Sequence, residues 1–134
     1  MKIKRTYHRG PLMLIIARHA ESGFNGQNRI QGHMDSKLTS RGLGQAKILS
    51  RRLAAMKITR IYSSDLGRAV ATTREIARRL RMPIIRDARL REIRLGRWEG
   101  LTPEEVTEGE KSVLELLNAM GTAPPELNAD LKDD

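Results

Sequence analysis

Six consecutive apolar residues, Leu12 to Ala17, stop abruptly at Arg18-His19, and nothing else in the chain restricts its fold as strongly. The run does not alternate with polar residues, so it does not fit a strand with one wet face. It is also far shorter than the roughly 20 residues of a membrane-spanning helix. It fits a strand buried on both faces, as found inside parallel sheets. Such sheets join their strands by crossover helices and hold their ligands beyond the carboxyl ends of the strands. Arg18 and His19 therefore stand where chemistry is expected.

The rest of the chain repeats the strand-then-helix rhythm. Residues 20–38, rich in Gly, Asn, Gln and Ser, lack periodicity and read as a long functional loop. Thr39 or Ser40 caps a helix to about Met56, with Leu43, Ala46, Leu49, Arg52 and Leu53 near helical spacing. Ile58 to Ser63 reads as a second strand. Ser64-Asp65 offers N-caps for a helix to about Arg81, with Ala69, Thr73, Ile76, Ala77 and Leu80 on one face. Pro83 to Arg86 makes a third short strand. The expected fold class is α/β, a three-layer sandwich of a mainly parallel sheet with flanking helices.

Beyond the third strand, Thr102-Pro103-Glu104-Glu105 has the form of a capping box with proline at the first helical position. It predicts a short helix ending by Gly109, and a further helix is expected over Glu110 to Met120 with Val113, Leu114, Leu117 and Met120 as an apolar stripe. The 134 residues suit a single domain, residues 1–134, with a basic extension over 1–11 and a disordered acidic tail over 121–134. A basic start followed by an apolar run faintly resembles a secretory signal. Arg18, His19 and Glu21 interrupt it too early, so a soluble cytoplasmic protein without membrane partners is expected.

Charge narrows the choice of partner. Residues 1–100 hold 23 of the 25 Lys and Arg and 7 of the 16 Asp and Glu, a net +16, whereas residues 101–134 sum to −7. A basic body suits an anionic partner, either a small phosphorylated molecule or nucleic acid. Only 3% of residues are aromatic, so stacking platforms for nucleic acid are scarce and phosphate is favoured. There is no cysteine, and His8, His19 and His33 show no metal-ligand spacing, so neither a cofactor nor a metal is expected.

A histidine after a buried strand is weak evidence alone, since many such residues are structural. Its neighbours strengthen the case. Arg18 is adjacent, Glu21 and Asn25 follow in the same loop, and Arg68 lies in the first turn of a helix rooted at another strand end. Guanidinium forks and helix N-termini both match a phosphate. A neutral imidazole inside such a cage could attack phosphorus while positive charge stabilises the transition state.

Four motifs now stand in order. RHAES at Arg18 to Ser22 resembles the RHGE signature of the histidine phosphatase superfamily, the phosphoglycerate mutase-like family. Gln31 to Asp35 together with Leu38 to Gly42 resembles its QGxxDxPLTxxG loop. SSDLGRAVATT at Ser63 to Thr73 resembles its second arginine motif, and LREIRLGRWEGLT at Leu90 to Thr102 its acidic-residue loop. The likeness covers roughly residues 12–105. It implies a metal-independent phosphatase or phosphotransferase acting on small phosphomonoesters, with His19 as phosphoryl acceptor and Glu92 as general acid and base. Arg18, Arg68 and Asn25 would contact the phosphate. Glu92 lies among Arg89, Arg91, Arg94 and Arg97, and offsetting their charge is its alternative role.

Two departures from the family pattern bear on this reading. Ala20 replaces the family's glycine after the histidine, which is harmless only where the backbone has negative φ. The family's later half also supplies a second histidine on a strand beside the first, and no histidine follows His33 here. Impaired turnover, or a catalytically inactive phosphate-binding or interaction module, is the alternative expectation. The sheet edge left open would invite a homodimer that covers it.

Overall fold

The computed structural model describes residues 11–119. In chain order it contains α1 (Gly23–Gly26), α2 (Ser40–Ala54), β1 (Ile61–Ser63), α3 (Gly67–Leu80), β2 (Ile84–Arg86), 3₁₀ turns at Ala88–Leu90 and Gly96–Trp98, and α4 (Pro103–Ala119). It is an α/β arrangement with a small parallel sheet and flanking helices, as the alternation predicts. β1 and β2 pair in parallel with Ile61 opposite Ile84, Tyr62 opposite Ile85 and Ser63 opposite Arg86, and α3 is the crossover between them.

The core forms where helical and strand periodicities meet. Leu53 from α2, Ile61 from β1, and Ile76 and Ala77 from α3 are buried together, with Leu49, Ile58, Leu80, Met82 and Ile84 packed around them. α2 begins where the Thr39 side chain accepts from the Gly42 N–H, the capping predicted from sequence. Leu43, expected to face inward, is largely exposed, and the small residues Gly42, Ala46 and Ser50 take the inner stripe. Ser50 meets α3, with Arg79 Nε donating to Ser50 Oγ at 3.0 Å, whereas Gly42 faces the backbone of Glu21. On the opposite side of the sheet the paired Tyr62 and Ile85 are both exposed.

Several expectations are corrected. The apolar run Leu12 to Ala17 forms no strand: it has no regular structure, and Leu12, Leu14 and Ile16 are 92%, 76% and 86% exposed. Such a strand is stable only when neighbours satisfy its backbone and cover both faces. The described sheet has two strands, and neither pairs with the run. The second strand starts at Ile61 rather than Ile58. α3 is capped by Leu66 with no side-chain bond; Ser64 Oγ accepts from the Leu66 N–H, and Asp65 pairs with Arg91.

The Thr102 capping box forms as predicted, with the Glu105 N–H on Thr102 Oγ1 at 3.2 Å and the Thr102 N–H on Glu105 Oε2 at 2.9 Å. The helix it starts does not stop at Gly109 but continues as α4 to Ala119. A glycine inside a helix costs only about 1 kcal/mol relative to alanine, too little to end one. In the expected stripe Leu114 is buried, whereas Val113 is half exposed. The basic extension to residue 10, Met120 and the acidic tail lie outside the described residues. Among the described residues no helix is long and apolar enough to cross a membrane.

Candidate active site

Although its strand is absent, His19 is brought to the start of α3. The Ala20 N–H donates to Thr72 Oγ1 at 2.9 Å, which anchors the chain next to His19 on that helix. Ala20 is buried and its φ is not positive, so the alanine is accommodated without strain where the family has glycine.

The hydrogen bonds of the imidazole fix its tautomer. Nδ1 lies 2.8 Å from the Ala20 carbonyl, and Nε2 lies 3.2 Å from Arg68 Nε. A carbonyl only accepts and a guanidinium only donates, so the proton is on Nδ1 and the lone pair is on Nε2. Partial burial holds the His19 pKa below its ordinary value, and the positive charges of Arg68 and Arg18 act in the same direction. The Ala20 hydrogen bond and the Asp35 charge oppose them. The balance favours the neutral ring, whose Nε2 lone pair accepts the Arg68 Nε–H.

Arg68 is almost fully enclosed, 3% exposed, by the loop Gln31 to Asp35. Its Nη1 donates to the Met34 carbonyl at 2.9 Å and to Asp35 Oδ1 at 3.2 Å, and its Nη2 donates to the Gly32 carbonyl at 2.8 Å. Asp35 Oδ1 also accepts from the Arg68 backbone N–H at 3.3 Å. The planar fork is thus held from behind, with its Nε edge toward His19.

An open cleft of about 400 Å³ lies in front of His19, lined by Arg18, His19, Glu21, Asn25 and Gln45. Asn25 is the third residue of α1, and its Oδ1 accepts from the Ser22 N–H at 3.1 Å to close a capping box. With that oxygen committed, the amide N–H₂ is what Asn25 can offer an anion. Glu21 is turned away from that role: its Oε1 accepts from Thr39 Oγ1 at 2.7 Å and its Oε2 lies 3.6 Å from Arg41. Its backbone N–H donates to Gln45 Oε1 at 2.9 Å, which places Gln45 on the cleft wall.

Of the five residues singled out from sequence, Arg18, His19 and Asn25 share the cleft, and Arg68 stands behind His19 in direct contact with it. Glu92 is not brought to them. Its side chain is exposed, with Oε1 accepting from the adjacent Ile93 N–H at 2.9 Å, and its carbonyl accepts from His33 Nε2 at 2.8 Å. Sequence reasoning missed Asp35, Glu99 and Gln45. Asp35 and Glu99 stood inside the quoted motifs, but no spacing rule marks a carboxylate that meets Arg68 at the head of α3, or one whose partners are backbone groups of a distant loop. For Gln45, a polar residue on a helix, there was no signal.

The model of the histidine phosphatase superfamily (branch 1) matches residues 14–131. Phosphoserine phosphatase 1 of Hydrogenobacter thermophilus is 43% identical over 95 residues, 71% of this chain and 45% of that protein. "Probable phosphoglycerate mutase GpmB" of Escherichia coli is 41% identical over 101 residues, 75% of this chain and 47% of that one. The chain spans about half the length of the curated relatives it matches. Among solved structures, Bacillus stearothermophilus YhfR superposes with a TM-score of 0.66 at 37% identity, covering 81% of this chain and 55% of that one. A mycobacterial glucosyl-3-phosphoglycerate phosphatase in complex with VO3 superposes with the same TM-score at 34% identity, covering 68% and 44%.

Proposed function

Because this chain belongs to the histidine phosphatase superfamily, we propose that it is a cytoplasmic phosphatase or phosphotransferase that uses His19 to take the phosphoryl group of small phosphomonoesters. The observation that carries this reading is the His19 Nε2 lone pair, set beside the Arg68 guanidinium on the wall of a cleft that also holds Arg18. The relatives named for phosphoserine, phosphoglycerate and glucosyl-3-phosphoglycerate support a small phosphate ester as the substrate class.

In the proposed reaction Nε2 attacks phosphorus in line with the ester oxygen. The N–P bond forms as the P–O bond breaks, and the Arg68 Nε–H, still bound to its nitrogen, shifts its hydrogen bond from Nε2 to a phosphoryl oxygen, which frees the lone pair that attacks. Arg18 and the Asn25 amide take the other oxygens, where equatorial charge accumulates. The family resemblance assigns protonation of the leaving oxygen to Glu92, which has to leave the Ile93 N–H and move into the cleft to perform it. Water then attacks the phosphohistidine and gives its proton to Glu92, and phosphate departs with the lone pair restored to Nε2. Hydrolysis of an aryl phosphate by the chain and by His19→Ala tests this directly: a large loss is expected, and equal turnover overturns it.

A second reading has an observation of its own in the placement of Glu92 outside the cleft. In that reading the site binds phosphate without turning it over. Phosphate or vanadate would then raise the unfolding temperature while no turnover is seen, and activity abolished by His19→Ala would exclude it.

A further inference from the structure

Resting on that reading of His19, we propose that Glu99 is a positioning residue that locks the Gln31 to Asp35 loop so that Arg68 is aimed at the nucleophile. One carboxylate gathers three backbone donors from two separate loops. Glu99 Oε1 accepts from His33 N at 3.0 Å and from Leu95 N at 2.9 Å, and Oε2 accepts from Met34 N at 3.2 Å. The carbonyls that grip Arg68 belong to Gly32 and Met34, in the segment whose amides Glu99 holds.

Gly32 adds an independent sign of close fit. Its φ is +53°, and a Cβ there would overlap the Glu99 carboxylate. Glycine thus allows both the left-handed turn and the approach of Glu99. The same loop carries His33, whose Nε2 is bonded to the carbonyl of Glu92. Glu99 therefore ties the support of Arg68 to the segment that bears Glu92. The peptide N–H groups of His33 and Leu95 hold its carboxyl below the usual carboxylate range, so the full accepting capacity of the charged form is present near neutral pH.

Glu99→Gln tests the assignment, because an amide presents N–H where the loop also presents N–H. It should be compared with Glu99→Asp, which keeps the charge, and with Glu75→Gln, which weakens the exposed ion pair to Arg78 on α3 away from the site. The tautomer of His19, read from its imidazole ¹⁵N shifts, is the readout that does not depend on turnover. In Glu99→Gln the Nδ1–H preference should fall toward a mixture and kcat on an aryl phosphate should drop at least tenfold, with a smaller change in KM. Glu99→Asp should recover part of both, and Glu75→Gln should leave both unchanged. An unaltered His19 tautomer in folded Glu99→Gln would refute the proposal. If Glu99→Gln does not fold, Glu99→Ala, which removes the carboxylate, is read in its place, and an unaltered tautomer there refutes the proposal equally. If the unmodified chain shows no turnover, the functional reading fails while the tautomer still decides the role of Glu99.

Discussion

Replacing Arg68 by methionine keeps an aliphatic stem in its buried site but removes every guanidinium donor. The side chain serves His19 Nε2, the carbonyls of Gly32 and Met34, and Asp35 Oδ1. Asp35 is a third exposed and can turn to water, so its loss is discounted. The two carbonyls are enclosed by the loop, and leaving such groups unsatisfied costs ~1–3 kcal/mol each. About 4 kcal/mol is therefore expected, a large part of the ~5–15 kcal/mol that keeps a domain folded. With a urea dependence of ~2 kcal/mol/M, the unfolding midpoint should fall by about 2 M. His19 gives a second readout with a fixed sign. Its pKa is lowered by burial and by the Arg68 charge; the substitution keeps the burial and removes the charge, so the imidazole should titrate closer to 6.5 by NMR. A midpoint shift below about 0.5 M, or a His19 pKa that moves further down, would refute this account of the buried fork.

Two further outcomes follow from particular contacts. Gly42 lies on the inner face of α2, and a Cβ there would overlap the backbone carbonyl of Glu21, so Gly42→Ala forces the helix away from the loop that carries His19. A cost of ~1–3 kcal/mol is expected in thermal or urea unfolding, against a gain of up to ~1 kcal/mol had the site been open. The lowered His19 pKa also makes stability depend on pH. Between its folded value and 6.5 the unfolded chain binds more protons, so the contribution of a neutral His19 is complete above 6.5 and is lost as pH falls through that window. His19→Asn should flatten that part of the profile, and identical slopes would contradict the linkage.

The apolar run at Leu12 and the helix α2 show where sequence and tertiary structure part ways. Both were read from local pattern, and only α2 formed as expected. Its cap, Thr39 bonding the Gly42 N–H, is complete within four residues, and its apolar stripe needs only one packed neighbour. A strand has no internal hydrogen bonds and depends wholly on what lies beside it. Helix α4 departs in the other direction: it runs through Gly109, because a glycine costs too little to end a helix.

Which residues could do chemistry was set by the chain itself: a histidine flanked by arginine, a second arginine at the head of a helix, and a glycine-bearing loop between them. Their types and order suffice for that, because a nucleophile and its anion-binding partners are defined by their functional groups. The tertiary structure decided which nitrogen of His19 holds the lone pair, that Arg68 is gripped by backbone carbonyls, and that Glu99 fastens the loop supplying them. Each of these depends on distances and angles between groups far apart in sequence, and hydrogen bonds become specific only when the folded chain fixes those quantities.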